Sequence, residues 1–234
     1  MTQLPDFAKF ATRAKLAFRA PDLLRQALTH RSYLNEHREA NWDHNERLEF
    51  LGDAVLELVV TDYLFGRYPK ETEGDLTAYR AALVNTDTLA EVAIDLGVND
   101  YLLLSKGEAK DTGRARQVIL ANAFESIIGA IYLDQGLTAA RDFIVNNFDG
   151  RAEAVIAARR IQDAKSFFQE KAQATEELTP TYEVLSEVGP DHHKTFTVGL
   201  YLGTNLVATG VGRSKQEAEQ AAARRALVER GWLK

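Results

Sequence analysis

A chain of 234 residues with 45% apolar and 26% charged residues has room for one large domain or two small ones, and the make-up of an ordinary globular protein. No run of about 18 apolar residues is present, and the opening MTQLPDFAKFATRAKL lacks the apolar core and small-residue cleavage site of a signal peptide, so neither a membrane span nor secretion is expected. The absence of cysteine excludes disulfides and thiolate metal sites and suits a cytoplasmic protein, while a net charge of −6 argues against nucleic-acid binding through a bulk positive field but not through a local patch or metal ions.

The first 150 residues read as all-α. Apolar residues recur at helical spacing over 21–35, 45–66, 75–96, 117–134 and 137–148. Pro21-Asp22 opens one of these segments, and Gly97 and Gly136 close two others. The stretch 105–116 reads as a loop carrying Lys106, Lys110, Arg114 and Arg116, either solvated or set to meet phosphates. Residues 151–161 read as a connecting helix or linker whose Arg151, Arg159 and Arg160 form a solvated face. From 162 the texture changes. A short helix, three alternating segments (PTYEVLSEVG, KTFTVGLYLG, NLVATGVG) and a closing helix give the order α-β-β-β-α, a second and smaller α+β domain over 162–234. Ser214 with Glu217 three residues on predicts a capping box for the last helix.

Two segments carry candidate chemistry. In NERLEFLGDAVLE, helical geometry puts Glu46, Glu49, Asp53 and Glu57 within an arc of roughly 80°. Leu48, Leu51, Val55 and Leu58 fall on the opposite side, which reads as the core face. Like charges on adjacent turns repel, so the stripe is either a solvated face or a site for a cation. In ILANAFESIIGAIYLDQG, Asn122 and Glu125 are neighbours one turn apart within a strongly apolar run, where polar groups need partners. The small residues Ala121, Ala123, Gly129 and Ala130 would let the acidic helix approach. Glu49, Asp53, Glu125 and an amide brought together would form an all-oxygen site suited to Mg²⁺ or Mn²⁺ rather than zinc. Phosphodiester hydrolysis is the reaction such sites commonly serve.

NERLEFLGDAVLELVV resembles the signature of the ribonuclease III family. ALTHRSYLNE, ETEGDLTAYRAALVNTDTLAEVA, LLSKGEAKDTGR and ILANAFESIIGAIYLDQG follow in the family's order. The α-β-β-β-α segment resembles a double-stranded-RNA-binding domain, with GPDHHKTFTV and GRSKQEAEQAAA in the matching places. The resemblance implies an all-α endonuclease domain over 1–150, a linker over 151–161 and an RNA-binding domain over 162–234. It further implies a homodimer that cuts double-stranded RNA with Mg²⁺, each protomer cutting one strand to leave 5′-phosphate and 3′-hydroxyl ends with short 3′ overhangs, as in the processing of ribosomal and messenger RNA. By motif position Glu49, Asp53 and Glu125 are implied metal ligands, Glu46 and Glu73 acids of the cleavage valley, and Phe50 an aromatic packed across the dimer interface. Glu57, His30 and Arg31 are read as structural.

One position departs from the pattern. Asn122 stands where the family usually has Asp. Three readings follow: coordination through the amide oxygen, a weakened site that needs more metal or prefers Mn²⁺, or a protein that binds duplex RNA without cutting it. In the second domain, the resemblance implies that Gln169, Glu170 and Gln173 face one minor groove, His192 the next, and Ser214 and Lys215 the phosphates between. Residues 161–234 hold 9 Lys and Arg against 10 Asp and Glu, and Gln216 follows Lys215 where the family often has a second lysine, so a shallow salt dependence is expected.

Overall fold

The computed structural model describes residues 4–148, 150–162 (backbone only from 158), 164–190 and 194–233. The helices before the change of texture are α1 (Phe7–Arg13), α2 (Pro21–Ala27), α3 (Arg31–Glu36), α4 (Glu46–Arg67), α5 (Glu73–Leu83), α6 (Thr86–Leu96), α7 (Arg114–Gln135), α8 (Leu137–Phe148) and α9 (Arg151–Gln162). The chain divides into two compact units, Met1–Val155 and Ile156–Lys234, with the boundary inside α9. No described helix is long and apolar enough to cross a membrane.

The first unit is built around α7. Ile119, Leu120, Phe124, Ile127, Ile128 and Ile131 are all buried, so this helix is covered on most of its circumference. Helix α4 packs along it at backbone contact. A Cβ placed on Gly52 would sit 1.8 Å from the carbonyl oxygen of Glu125, and one on Gly129 would sit 2.2 Å from that of Leu48. Intrinsic propensity favours Ala over Gly inside a helix by about 1 kcal/mol. The overlap reverses that sign: Gly52→Ala must push α4 off α7 and is expected to destabilise the protein by about 3 kcal/mol in urea titration.

Several sequence expectations are altered by tertiary contacts. The segment 21–35 is two helices, because Thr29 is drawn out to pair with Leu103 in an isolated bridge. The His30 N–H donates to Leu103 O at 3.0 Å and the Asn45 N–H to Thr29 O at 2.9 Å. The segment 75–96 is also two helices. Asn85 adopts extended backbone and caps α6, its side chain accepting from Thr88 N. Arg114 and Arg116 lie on the first turn of α7 rather than in a loop. Arg151 is not simply solvated, since it pairs with Glu91 at 3.5 Å and with Asp95; the side chains of Arg159 and Arg160 lie outside the described residues. Helix α1, which periodicity did not pick out, is capped by Asp6 accepting from Lys9 N at 3.0 Å. On α4 the buried side chains are Leu48, Val55, Leu56, Val59, Val60 and Leu64, while Leu58 is 56% exposed and Leu51 only partly covered. The core face is therefore turned toward Glu49, so the acidic stripe sits at its edge rather than opposite it.

The second unit is α10 (Ala164–Glu176), β1 (Pro180–Val188), β2 (Thr195–Leu202), β3 (Asn205–Gly212) and α11 (Lys215–Glu229). The sheet is antiparallel in the order β1-β2-β3. Phe167, Phe168, Leu200, Leu202, Ala222, Ala223, Ala226 and Leu227 form its core. The alanine run of α11 lies directly on β3, since a Cβ on Gly210 would meet Ala222 N at 2.1 Å. Ser214 caps α11, accepting from Glu217 N at 3.1 Å. The Glu217 carboxylate, however, receives Arg213 N at 2.8 Å rather than the N–H of Ser214, so the reciprocal half of the expected box is displaced by one residue.

Candidate active site

Three carboxylates and one amide meet where α4 crosses α7. Glu49 and Asp53 lie one turn apart on α4, either side of the Gly52 contact, and Asn122 and Glu125 occupy successive turns of α7. The absence of side chains at Gly52 and Gly129 lets the two helices bring these groups together. The electrostatics record how close they are. Burial, then the charges of Asp53 and Glu49, push the Glu125 carboxyl up to about 8. Burial, then the charges of Glu46 and Asp53, raise Glu49, opposed by a hydrogen bond from the Asn122 side chain. Asn122 is thus a direct partner of Glu49, and Asp at this position would add a fourth negative charge in place of that donor.

On the Glu49–Asn122 side of this group is a cleft of about 280 Å³ lined by His30, Arg31, Asn45, Glu46, Glu49 and Asn122. Glu46 is half-exposed on its rim, 3.5 Å from Arg31 and 3.9 Å from His44. Asn45 is buried under it; its carbonyl accepts from Leu48 N and Glu49 N at 2.9 Å each and so starts α4. Among the described residues, no three His, Asp or Glu side chains converge on a single metal-binding point. The donor set nevertheless fits a hard divalent cation. It is all oxygen, it is partly desolvated, and burial together with the charges of Asp53 and Glu49 raises the Glu125 carboxyl, a shift that a bound cation would offset.

Two residues implied for the site stand apart from it within one protomer. Glu73 begins α5, accepts from Thr77 Oγ1 at 3.1 Å, and lines a separate cleft of about 420 Å³ with Thr61, Leu64, Phe65, Leu76 and Arg80. That cleft lies about 18 Å along α4 from Glu49, at 1.5 Å per residue. Phe50 is 82% exposed, and with Leu58 (56%) and Phe65 (73%) it forms an apolar stripe on the outer side of α4. Glu57 is paired with Arg80 at 2.9 Å.

In the second unit Gln169 and Gln173 are exposed on α10, with Glu170 partly covered beside them, and Ser214 and Lys215 are exposed at the start of α11. His192 lies outside the described residues. Several basic side chains here are tied up internally: Lys165 with Glu219 at 2.5 Å, Lys194 with Glu187 at 2.6 Å, Arg225 with Glu229 at 2.8 Å, and Arg230 with Glu176.

Comparison with known proteins agrees with both halves. A Ribonuclease-III-like family profile matches residues 20–150, and a double-stranded RNA binding motif profile matches residues 164–229. The chain is 47% identical over 219 residues to Ribonuclease 3 of Protochlamydia amoebophila, covering 93% of this chain and 90% of that protein. It is 46% identical over 210 residues to Ribonuclease 3 of Carboxydothermus hydrogenoformans, covering 90% and 89%. Among solved structures it resembles the nuclease domain of ribonuclease III from Campylobacter jejuni, with a TM-score of 0.57 and 40% identity over 62% of this chain and 97% of that one. With its acidic helix crossing and its two domains matched in the same order, this chain belongs to the ribonuclease III family, enzymes that cut double-stranded RNA.

Proposed function

We propose that the α4–α7 crossing is a magnesium-dependent cleavage site, with Mn²⁺ able to substitute, and that the protein processes structured RNA such as ribosomal and messenger precursors in the cytoplasm. The observation that carries the reading is the Glu49–Asp53–Glu125 group with Asn122 beside it, set together where α4 meets α7, with the carboxyls of Glu49 and Glu125 raised by burial and by neighbouring charges. Glu49, Asp53 and Glu125 would hold the ion, with Asn122 contributing its amide oxygen directly or through water. What a divalent ion supplies when bound is acidification of water and neutralisation of phosphate charge. The protein's own part is to fix the carboxylates. Asn122 restrains Glu49, the close crossing sets the exposed Asp53 near Glu125, and Glu49 and Glu125 are themselves partly withdrawn from water. The reaction adds a water oxygen to phosphorus and breaks the bond to O3′, which takes up the proton. The products are 5′-phosphate and 3′-hydroxyl ends.

The same surface supports a homodimer. Phe50 near one end of α4 and the Leu64–Phe65–Leu76 cleft near the other are complementary, so a twofold axis across α4 seats each Phe50 in the partner. That arrangement would also carry Glu73 toward the other protomer's carboxylates, which explains its separation within one chain. The C. jejuni nuclease domain is likewise described as having a region involved in dimer formation.

Cleavage of a long RNA duplex, followed in Mg²⁺, in Mn²⁺ and with chelator, tests the reading. Short duplex products with staggered ends are expected with either ion and none with chelator. Asn122→Asp should lower the Mg²⁺ concentration needed for half-maximal rate several-fold, because it adds a charged ligand. Products from Asn122→Asp alone would instead make the parent a duplex-binding protein with a silenced site. For the RNA-binding unit, with four of its cations held in internal pairs, a plot of log Kd against log salt should have a slope of no more than about 3 for residues 1–234 without metal; a slope of 6 or more would show a larger phosphate footprint than Ser214, Lys215 and their neighbours supply.

A further inference from the structure

The cleft at the start of α4 is lined by unlike groups, the acids Glu46 and Glu49 together with His30 and Arg31. A phosphodiester entering such a cleft is repelled by the acids and needs hydrogen-bond donors among the other lining groups. His30 is fixed in a way that supplies one. Its Nδ1 accepts from Ser32 N at 3.3 Å and lies 2.8 Å from Ser32 Oγ. Ser32 Oγ in turn accepts from Ser105 N at 3.0 Å, so its own hydrogen is free to go to Nδ1. This network assigns the ring proton to Nε2, which makes no hydrogen bond to a described residue. The His30 N–H donates to Leu103 O, which anchors the backbone, while Ser32 holds the ring at Nδ1. Burial lowers the pKa of this imidazole from its ordinary value. Arg31 is the next residue. Its guanidinium is 68% exposed and rests 3.5 Å from Glu46, a solvated pair that a phosphate can exchange at little cost.

We propose that His30 Nε2–H and the Arg31 guanidinium are phosphate-contacting residues that hold the cleaved strand in this cleft, beside the Glu46 and Glu49 carboxylates. This rests on the reading of the cleft as the cleavage site. It assigns a substrate role to two side chains whose sequence context suggests only a helix start. The helix-start role is real, since His30 caps α3, and it provides the control. Asn caps as well as His does, through an oxygen accepting from Ser32 N, but it cannot place a donor where Nε2 stands.

The experiment is steady-state cleavage of a duplex RNA by the full chain, beside thermal unfolding, for His30→Asn, Arg31→Gln, Arg31→Lys and Glu125→Gln. His30→Asn is expected to melt with the parent yet lose about tenfold in kcat/KM, the scale of one lost hydrogen bond to a charged group. Arg31→Gln is expected to raise KM about tenfold with a smaller change in kcat, and to reduce the salt slope of RNA binding by about 1. Arg31→Lys should recover most of the binding. Parent-like kinetics in both His30→Asn and Arg31→Gln would overturn the proposal and leave His30 a cap. Should His30→Asn unfold, the exposed Arg31 decides the matter alone. Persistent cleavage by Glu125→Gln is a different failure, since it would remove the active-site reading itself.

Discussion

Glu125→Gln is expected to lower the rate of duplex cleavage by about 10³-fold or more, roughly 4 kcal/mol of transition-state stabilisation, with RNA binding intact. Gln is the neutral isostere of the protonated acid, so packing against α4 is preserved and the loss is one of charge. The same substitution has a signature in metal-free stability. Burial first, and then Asp53 and Glu49, push the Glu125 carboxyl from an ordinary value near 4.5 up to about 8. A group whose folded pKa is raised costs the folded state nothing well below pH 4.5. It costs progressively more as pH climbs through the window from about 4.5 to 8, where the unfolded chain has already released its proton. The metal-free parent should therefore lose stability on going from pH 5 to pH 8, and Glu125→Gln should lose less. A bound cation favours the deprotonated carboxylate, so added Mg²⁺ should bind more tightly as pH rises and erase the difference. Melting curves at the two pH values, with and without the ion, check all of this. Identical pH profiles for the two proteins would mean that neither burial nor its neighbours' charges raise the Glu125 carboxyl.

Phe50→Asp is expected to convert a dimer into a monomer. An exposed Phe seated in an apolar cleft is worth about 2 to 3 kcal/mol, and the twofold axis uses it twice, so dissociation should strengthen by about 10³-fold before the new charge is counted. The ring is 82% exposed in the single chain, so the monomer should keep its melting temperature. Sedimentation at micromolar concentration separates the outcomes. If the variant is monomeric and no longer cuts duplex RNA, the dimer and the separation of Glu73 from the main cluster have one explanation. If it remains dimeric, the interface lies elsewhere, and the stripe of Phe50, Leu58 and Phe65 needs another partner.

Much of the architecture was legible before any coordinates. Helical periodicity located α4, α7 and α8, and alternation located the three strands, because each signal comes from residues adjacent along one element. The acidic stripe and the Asn122–Glu125 pair were visible for the same reason. Their meeting was only inferable from small residues in 121–130; the decisive partner, Gly52, gives no signal of its own. The buried face of α4 does not include Leu58, because a stripe of apolar residues in sequence does not distinguish a core face from an exposed one.

What the sequence determined by itself was the family, the two-domain order and the residue types of the site, through motifs long enough to be specific. What only the tertiary structure decided was where neighbouring elements interrupt or bring together what the sequence presents. Thr29 leaves its helix because Leu103 takes the backbone hydrogen bonds of its neighbours Leu28 and His30 while Asn45 N–H donates to the Thr29 carbonyl. His30 faces the carboxylate cleft because that same interruption sets it beside the start of α4. Glu73, which the motif groups with the other acids, stands in a different cleft. The reason is common to all three. Periodicity records how one element is solvated, whereas backbone partners and shared clefts are set by residues dozens of positions away, and those contacts exist only once the helices have packed.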